Sequence, residues 1–142
     1  MARVKVDIPA HIHFETRIPI RITDLNYGAH LGNDALLSLL HEARVQLLRH
    51  FGYGELDMGG AGLIMADVAI SYKGEAFYGD TLYIKMAFDD LSRYGFDVTY
   101  HVLNQHGREV ARAKTGMLCF DYKARKLMPL PPDVKAKIAV SA

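Results

Sequence analysis

The segment NDALLSLLHEARVQLLRHF, residues 33–51, decides the fold, because it is the one long segment whose apolar residues recur with helical spacing. One stripe along it consists of Leu36, Leu40, Ala43, Leu47 and Phe51, broadened by Leu37, Leu39 and Leu48. An apolar surface this broad predicts a helix that other structure largely encloses. Asn33 is a suitable N-cap, and Asp34 suits the positive end of the helix. Arg49 and His50 suit the other end, and Gly52 can supply a left-handed stop.

Strand-like segments flank this helix along the chain. Residues 11–22 alternate strictly, and one face carries Ile12, Phe14, Thr16, Ile18, Ile20 and Ile22. A period of two over this length predicts a half-buried strand. After the helix, the same alternation predicts strands over residues 82–89, 94–102 and, beyond a turn at 105–107, 109–122. A short closing helix is predicted over 132–140, after Pro129, Pro131 and Pro132.

One segment is apolar almost without alternation, namely residues 63–70, LIMADVAI. Such a run predicts a central strand covered on both faces. Strands before and after a single enclosed helix predict an α+β domain, with the helix on the concave face of an antiparallel sheet. We expect one such domain over residues 1–142, because this length suits one core. The strand around Asp67 is also where a second subunit would continue the sheet, which predicts a homodimer and leaves a tetramer open.

Composition excludes several classes of function. Half of the 142 residues are hydrophobic and the net charge is +1, so nothing indicates a nucleic-acid partner. No apolar stretch suits a signal peptide or a membrane span, and we expect a cytoplasmic protein with no membrane partner. Cys119 is the only cysteine and lies in an apolar run, which predicts a buried, inert thiol. His11 and His13 lack an evident third ligand, so no metal site is predicted.

The segment RITDLNYGAHLGN, residues 21–33, holds the polar groups that suggest chemistry. It ends the first strand and opens the helix, whose free backbone N–H groups can polarise a carbonyl or hold an oxyanion. A nearby carboxylate or imidazole can activate water, and together these parts suffice to hydrolyse an activated ester. Each residue also has a structural explanation. Asp24 can cap the loop, Asn26 can occupy a left-handed turn, Asn33 can be only an N-cap, and His30 can be a structural histidine.

The spacing Asp24-x-Asn26-x-x-x-His30-x-x-Asn33, followed by HEAR at 41–44, resembles that of the acyl-CoA thioesterases of the 4-hydroxybenzoyl-CoA thioesterase type. In that family a pattern D-x-D-x-x-x-H-x-N-N precedes the central helix. Residues 72–82, YKGEAFYGDTL, resemble the family's element Y-x-x-P-a-x-x-G-D-x-L. The resemblance covers nearly the whole chain. It implies the hot-dog fold, a long central helix wrapped by a curved antiparallel sheet, and hydrolysis of an acyl-CoA or acyl-carrier-protein thioester. No cofactor is implied, because coenzyme A is part of the substrate.

One departure from the family pattern affects the mechanism. The second Asp of D-x-D is the family's usual catalytic carboxylate, and this chain has Asn26 there. An amide cannot take a proton from water at neutral pH, although it can orient the water. Plant acyl-carrier-protein thioesterases, which have similar folds, use Asn and His, so Asp24 and His30 become the first candidates for replacing the carboxylate. Asp67 is a third, because a carboxylate in so apolar a strand needs a partner or a raised pKa.

The candidate catalytic residues are therefore Asp24, Asn26, His30 and Asp67, and the candidate substrate-binding residues are Tyr27, Gly32 and Asn33. In this hypothesis the first helical turn polarises the carbonyl, and Asn26 and His30 position the water or the thioester. One of the two aspartates supplies the base. The basic residues available for the phosphates of coenzyme A are Arg108, Arg112, Lys114, Lys123, Arg125 and Lys126.

Two alternatives remain open at the level of sequence. The first is a protein that binds acyl thioesters without hydrolysing them, having kept the fold after losing the family's carboxylate. The second, which the residues favour less, is a hot-dog enoyl-CoA hydratase. Those enzymes carry D-x-N-P-x-H, with five residues from Asp to His, whereas here the separation of Asp24 and His30 is six and the Pro is absent.

Overall fold

The computed structural model describes residues 3–139. Its elements are β1 (Phe14–Pro19), a 3₁₀ turn (Ile22–Asp24), α1 (Asn33–His50), β2 (Gly62–Tyr72), β3 (Thr81–Asp89), β4 (Gly95–Leu103), β5 (Glu109–Asp121), β6 (Lys126–Leu127) and α2 (Pro132–Ile138). All strand pairs are antiparallel, and the sheet has the order β1-β3-β4-β5-β2, with β6 beside β5. The predicted closing helix is confirmed as α2, although residue 140 lies outside the described range.

The core lies between α1 and one face of the sheet. From the helix it contains the predicted residues Leu36, Leu39, Leu40, Ala43, Leu47 and Leu48, all buried. From the central strands β3 and β4 it contains alternate residues, namely Leu82, Ile84, Met86, Phe88, Phe96, Val98, Tyr100 and Val102. The predicted α+β class, a long central helix wrapped by a curved antiparallel sheet, is thus confirmed.

The first strand is shorter than its alternation predicts. β1 runs over Phe14–Pro19, and both ends of the predicted face, Ile12 and Ile22, are exposed. At Ile22 the backbone enters the 3₁₀ turn, which Asp24 closes by accepting the N–H of Arg21 at 2.8 Å. A turn breaks the period of two, so Ile22 no longer lies on the core face.

The position of β2 also differs from the expectation. The apolar segment predicts a central strand covered on both faces, but in the described chain β2 is the edge strand beyond β5. Met65 and Val68 at its middle are exposed. The register slips between Met65 and Asp67, where a bulge interrupts the pairing with β5. Apolar composition alone cannot distinguish a strand covered by its own chain from one left open at the edge.

The capping prediction is wrong by one residue at the N-terminus of α1 and is confirmed at its C-terminus. Gly32, with extended backbone angles, is the N-cap, and Asn33 is already the first helical residue, so the predicted N-cap is displaced by one position. Gly52 has φ +84°, which confirms the left-handed stop. Within residues 3–139, no helix has the length and apolar character needed to cross a lipid bilayer.

Candidate active site

The loop before α1 is shaped by Asn26. Its side-chain oxygen accepts the N–H groups of Gly28 at 2.9 Å and His30 at 3.2 Å. Its backbone N–H donates to the carbonyl of His30 at 2.7 Å. Ala29 takes φ +64° to complete the turn. The amide of Asn26 therefore holds the backbone of His30 in place, a structural task that an aspartate carboxylate at this position can also perform.

A second loop, residues 73–80 between β2 and β3, lies against the first. The N–H of Leu31 donates to the carbonyl of Ala76 at 2.8 Å, and His30 forms an isolated antiparallel bridge with Phe77. The rings of His30 and Phe77 meet edge to face, with centroids 5.2 Å apart. Asp80 stiffens this loop by accepting the N–H of Phe77 at 2.9 Å. The side chain of His30 is therefore held between two fixed loops.

The two loops and the first turn of α1 enclose a cleft of about 350 Å³. Its lining residues are Asn26, His30, Leu31, Gly32, Asn33, Leu36, Tyr72, Lys73, Gly74, Glu75, Ala76 and Val110. On one side the hydroxyl of Tyr72 donates to the carbonyl of Asn33 at 3.2 Å. The N-cap, Gly32, has no side chain with which to bond the first N–H groups of the helix. These N–H groups and the positive end of the helix dipole suit a ligand oxygen with developing negative charge.

Four of the predicted site residues thus line one cleft: Asn26, His30, Gly32 and Asn33. Tyr27 is fully exposed and is not among the lining residues. The cleft also contains a carboxylate that the sequence argument did not select. Glu75 in the second loop has Oε1 3.5 Å from Nδ1 of His30. A signal for it existed, since Glu75 stands where the family element Y-x-x-P has its Pro.

Asp24 lies outside this cleft and forms an ion pair with Arg21. The guanidinium bonds both carboxylate oxygens, with Nε 3.2 Å and Nη2 3.1 Å away. Burial acts to raise the pKa of Asp24, but its bonds to Arg21 outweigh burial and hold the pKa below its usual value. Its backbone carbonyl accepts the N–H of Gly32 at 2.9 Å. Every contact of Asp24 therefore serves the path of the chain into α1.

Asp67 also lies outside the cleft, on the exposed edge of the sheet. Lys114 donates to its Oδ1 at 2.9 Å, which lowers the pKa of Asp67, and the N–H of Gly116 donates at 3.0 Å. A Cβ at Gly116 would lie 2.5 Å from this oxygen, so a larger residue there would displace the Asp67 carboxylate. Of the two expectations for Asp67, a partner or a raised pKa, the structure shows the partner.

Two further groups complete the chemical description. Cys119 is buried, as predicted, and burial raises the pKa of its thiol to about 11, which disfavours the reactive thiolate. Among residues 3–139, no three or more His, Cys, Asp or Glu side chains lie together as a metal-binding group. What the cleft brings together is an open helix N-terminus, an imidazole paired with a carboxylate, and an apolar floor.

Comparison with known proteins agrees with this geometry. The sequence profile of the thioesterase-like superfamily matches residues 20–138. A 1,4-dihydroxy-2-naphthoyl-CoA hydrolase of Synechococcus elongatus is 31% identical over 112 residues, which cover 75% of this chain and 81% of that protein.

Solved structures share the fold at lower identity. The DHNA-CoA thioesterase of Staphylococcus aureus superimposes with a TM-score of 0.80 at 20% identity, covering 88% of this chain and 87% of that one. A 1,4-dihydroxy-2-naphthoyl-CoA thioesterase from Synechocystis superimposes with a TM-score of 0.72 at 20% identity, covering 89% and 95%. With a family profile that spans most of its length, a relative above 30% identity and the shared hot-dog architecture, the chain belongs to the thioesterase-like superfamily.

Proposed function

We propose that this protein hydrolyses the thioester bond of an acyl-CoA in the cleft before α1, releasing a carboxylic acid and the thiol of coenzyme A. Membership of the thioesterase-like superfamily makes it an acyl-CoA thioesterase. One observation carries the assignment to this cleft. The open N-terminus of α1 and the imidazole of His30 line the same cavity, so a group that can hold a carbonyl oxygen lies beside one that can take a proton from water.

In the proposed reaction, the thioester carbonyl oxygen accepts N–H groups of the first turn of α1, next to Gly32 and Asn33. Water attacks the carbonyl carbon while His30 takes its proton, and negative charge develops on the oxygen at the helix terminus. The C–S bond then breaks, and the protonated His30 returns the proton to the leaving thiolate. Asn26 contributes by fixing the backbone of His30 through its side-chain oxygen.

This mechanism assigns the base to His30 and not to Asp24 or Asp67. Asp24 is bonded to Arg21 by three donors, and Asp67 is bonded to Lys114 and to a backbone N–H. Neither carboxylate lines the cleft of its own chain, and each already accepts hydrogen bonds from a cation. We therefore assign both aspartates to structure. Tyr27 has no role in the proposed mechanism.

The acyl group is proposed to be aromatic. Leu31, Leu36, Ala76 and Val110 give the cleft an apolar floor, and the ring of Tyr72 forms one side. Flat apolar walls of this kind suit a ring system that packs against them. The similar hydrolase of Synechococcus elongatus is named for a 1,4-dihydroxy-2-naphthoyl thioester, which is also a ring acid.

The phosphates of coenzyme A are proposed to lie in a neighbouring groove of about 440 Å³. This groove shares Lys73, Gly74, Glu75 and Val110 with the cleft, so one extended ligand can occupy both. Its basic side chains include Lys73 and Arg108. Three acidic residues also line it, and each already has a partner: Glu109 pairs with Arg112 and His101, both at 2.6 Å, Asp80 accepts the N–H of Phe77 at 2.9 Å, and Glu75 lies 3.5 Å from His30. Of the basic residues predicted to meet coenzyme A, Arg108 is the one in this groove.

The active form is proposed to be a homodimer joined at β2. This strand has 11 residues, lies at the edge of the sheet and exposes Met65 and Val68. A long apolar edge invites pairing with another strand, and a second copy of β2 across a twofold axis would satisfy it. The cleft wall at Tyr72 lies at the end of the same strand, so the partner would lie beside the active site.

Two further parts of the proposal concern conditions in the cell. Hydrolysis needs no metal or other cofactor in the mechanism above, because the helix terminus and His30 supply its charge and its base. A cytoplasmic location is proposed because the one cysteine in 142 residues cannot form an internal disulfide.

A second function, binding of an acyl thioester without turnover, is favoured by one observation. Asn26 stands where the family has its catalytic Asp, and this side chain lines the cleft. The hydratase alternative has no such support, because it needs Asp24 and His30 to act on one water molecule. Asp24 faces Arg21 outside the cleft.

A panel of thioesters tests the proposal. Release of free thiol is followed with 1,4-dihydroxy-2-naphthoyl-CoA, benzoyl-CoA, hexanoyl-CoA and palmitoyl-CoA, and with benzoyl-carrier protein. We expect turnover, with the highest kcat/KM for an aromatic CoA thioester. Tight binding of these ligands without thiol release would favour the second function.

A further inference from the structure

We infer that Glu75 is the positioning carboxylate for His30, an inference that rests on the proposed function and deepens it. Glu75 lines the same cleft as His30, and Oε1 lies 3.5 Å from Nδ1. The distance is that of an ion pair slightly longer than a direct hydrogen bond. Catalytic contacts are often this loose without substrate and tighten when it binds.

The backbone on either side of this pair is fixed, which keeps the two groups together. Ala76, next to Glu75, is buried, and its carbonyl accepts the N–H of Leu31, next to His30. The bridge between His30 and Phe77 adds a second tie between the loops. Because the two residues lie on loops bonded to each other, the backbone holds Glu75 within reach of His30.

The pairing sets which ring nitrogen is available for proton transfer. A carboxylate that faces Nδ1 favours the tautomer with hydrogen on Nδ1, and this leaves the lone pair of Nε2 free to take a proton from water. When Nε2 takes the proton, the ring becomes positive and Glu75 stabilises it. After the C–S bond breaks, the same proton passes from Nε2 to the thiolate, so His30 and Glu75 end the cycle unchanged.

Charged groups around His30 come from each neighbouring element. The titratable side chains that line the cleft with His30 are Glu75 and Lys73 of the second loop and Tyr72 at the end of β2, and Asp34 lies in the first turn of α1. Of these, Glu75 forms an ion pair with the imidazole. Asp34 acts on Tyr72, whose pKa is raised chiefly by burial and further by this carboxylate.

The sequence gives an independent reason to single out Glu75. Compared with the family patterns, the chain has lost a carboxylate at position 26 and gained one at position 75, where the element Y-x-x-P carries Pro. Both positions line the one cleft. The negative charge that the family keeps beside the helix N-terminus is therefore present here, but on the second loop.

The experiment compares Glu75→Gln and Glu75→Ala with Glu15→Gln, a matched loss of charge at an exposed position of β1. For the best substrate of the thioester panel, kcat and KM are measured. In Glu75→Gln we expect kcat/KM to fall by about tenfold to a hundredfold, the usual effect of removing an orienting partner. We also expect the fall to appear in kcat more than in KM, because Glu75 acts by orienting the ring that takes the proton. Glu15→Gln should match the wild type in both respects.

A second readout does not depend on turnover. Nitrogen-15 NMR of the histidine rings, with His30 assigned from the spectrum of His30→Gln, should show the Nδ1–H tautomer in the wild type and a shift toward Nε2–H in Glu75→Ala. An unchanged kcat, KM and tautomer would overturn the inference while leaving hydrolysis intact. Loss of all activity in Glu75→Gln with an unchanged melting temperature would also overturn it, because Glu75 would then be the base itself. If Glu75→Ala changes the tautomer of His30 but the wild type hydrolyses no thioester, the pairing of Glu75 with His30 would be supported and the proposed function refuted.

Discussion

Replacement of Tyr100 by Phe tests how the buried polar groups hold α1 on the sheet. Arg44, part of the HEAR sequence, is buried, and its Nη1 donates to the hydroxyl of Tyr100 at 3.1 Å. The same hydroxyl lies 2.7 Å from Oγ1 of Thr115 on β5. Glu55 adds an ion pair at 3.7 Å from Nη2 of Arg44. One hydroxyl group therefore connects the central helix to two strands of the sheet.

The cost of removing that hydroxyl follows from its surroundings. Phe keeps the shape of the ring, so no cavity opens, but Arg44 and Thr115 each lose a partner where water cannot replace it. A buried polar group left without a bond costs about 1–3 kcal/mol, so the two together should cost about 2–6 kcal/mol. The loss at Arg44 adds to an existing one, because its Nε already lacks a hydrogen-bond partner among the described residues. For a chain of this size the loss corresponds to a fall in melting temperature of roughly 6–18 °C.

Urea unfolding followed by circular dichroism measures this change at a fixed protein concentration, because oligomers are stabilised by mass action. The control is Tyr78→Phe, whose hydroxyl is on an exposed side chain and should matter by less than about 0.5 kcal/mol. The double variant Tyr100→Phe/Thr115→Val should recover part of the loss, because one orphaned group is then removed. A Tyr100→Phe protein as stable as the control would refute the view that this network fixes α1.

Five further outcomes are expected. Asp24→Asn and Asp67→Asn should each keep kcat within about threefold of the wild type, whereas loss of a true base costs roughly two to four orders of magnitude; stopped assays of both variants decide this. Because the folded-state pKa of Asp24 is lowered, its stabilising effect should be present above about pH 4 and be lost as the pH falls further, so melting curves of wild type and Asp24→Asn should converge in acid. Arg108→Ala should raise KM for an acyl-CoA about threefold to tenfold with little change in kcat, and equal KM values would remove Arg108 from phosphate binding. Val68→Arg should yield monomers in sedimentation at micromolar concentration, where the wild type is expected to be a dimer. Prolonged treatment with a chelator should leave the activity of the wild type unchanged.

Most of the fold could be predicted because its signals are local and periodic. The helix over residues 33–50 and the strands β3, β4 and β5 each pack a face of apolar residues into the core, and those residues recur at every second position in the strands and once per turn in the helix. The prediction that Ile22 lies on the buried face was wrong, because Asp24 closes a turn with Arg21 and the alternation ends there. The edge position of β2 could not be predicted, because composition does not reveal which chain covers an apolar strand.

The candidate site was predictable only in part. Asn26, His30, Gly32 and Asn33 are neighbours in sequence at a helix N-terminus, so local reasoning was enough to group them. Glu75 reaches His30 through a loop 45 residues away in sequence, and this contact depends on loop pairing that no local pattern expresses. Asp24 was a candidate from its place in the family pattern, and Asp67 because it lies in an apolar strand. Their ion pairs with Arg21 and Lys114 are seen only in the structure.

The measurement closest to the central claim is single-substrate hydrolysis of an aromatic acyl-CoA by the wild type and by His30→Ala, with free thiol as the readout. We expect steady turnover by the wild type and a fall in kcat of about two to four orders of magnitude in the variant, with an unchanged circular dichroism spectrum and oligomer size. Equal turnover by the two proteins would contradict the assignment of this cleft as the site of thioester hydrolysis.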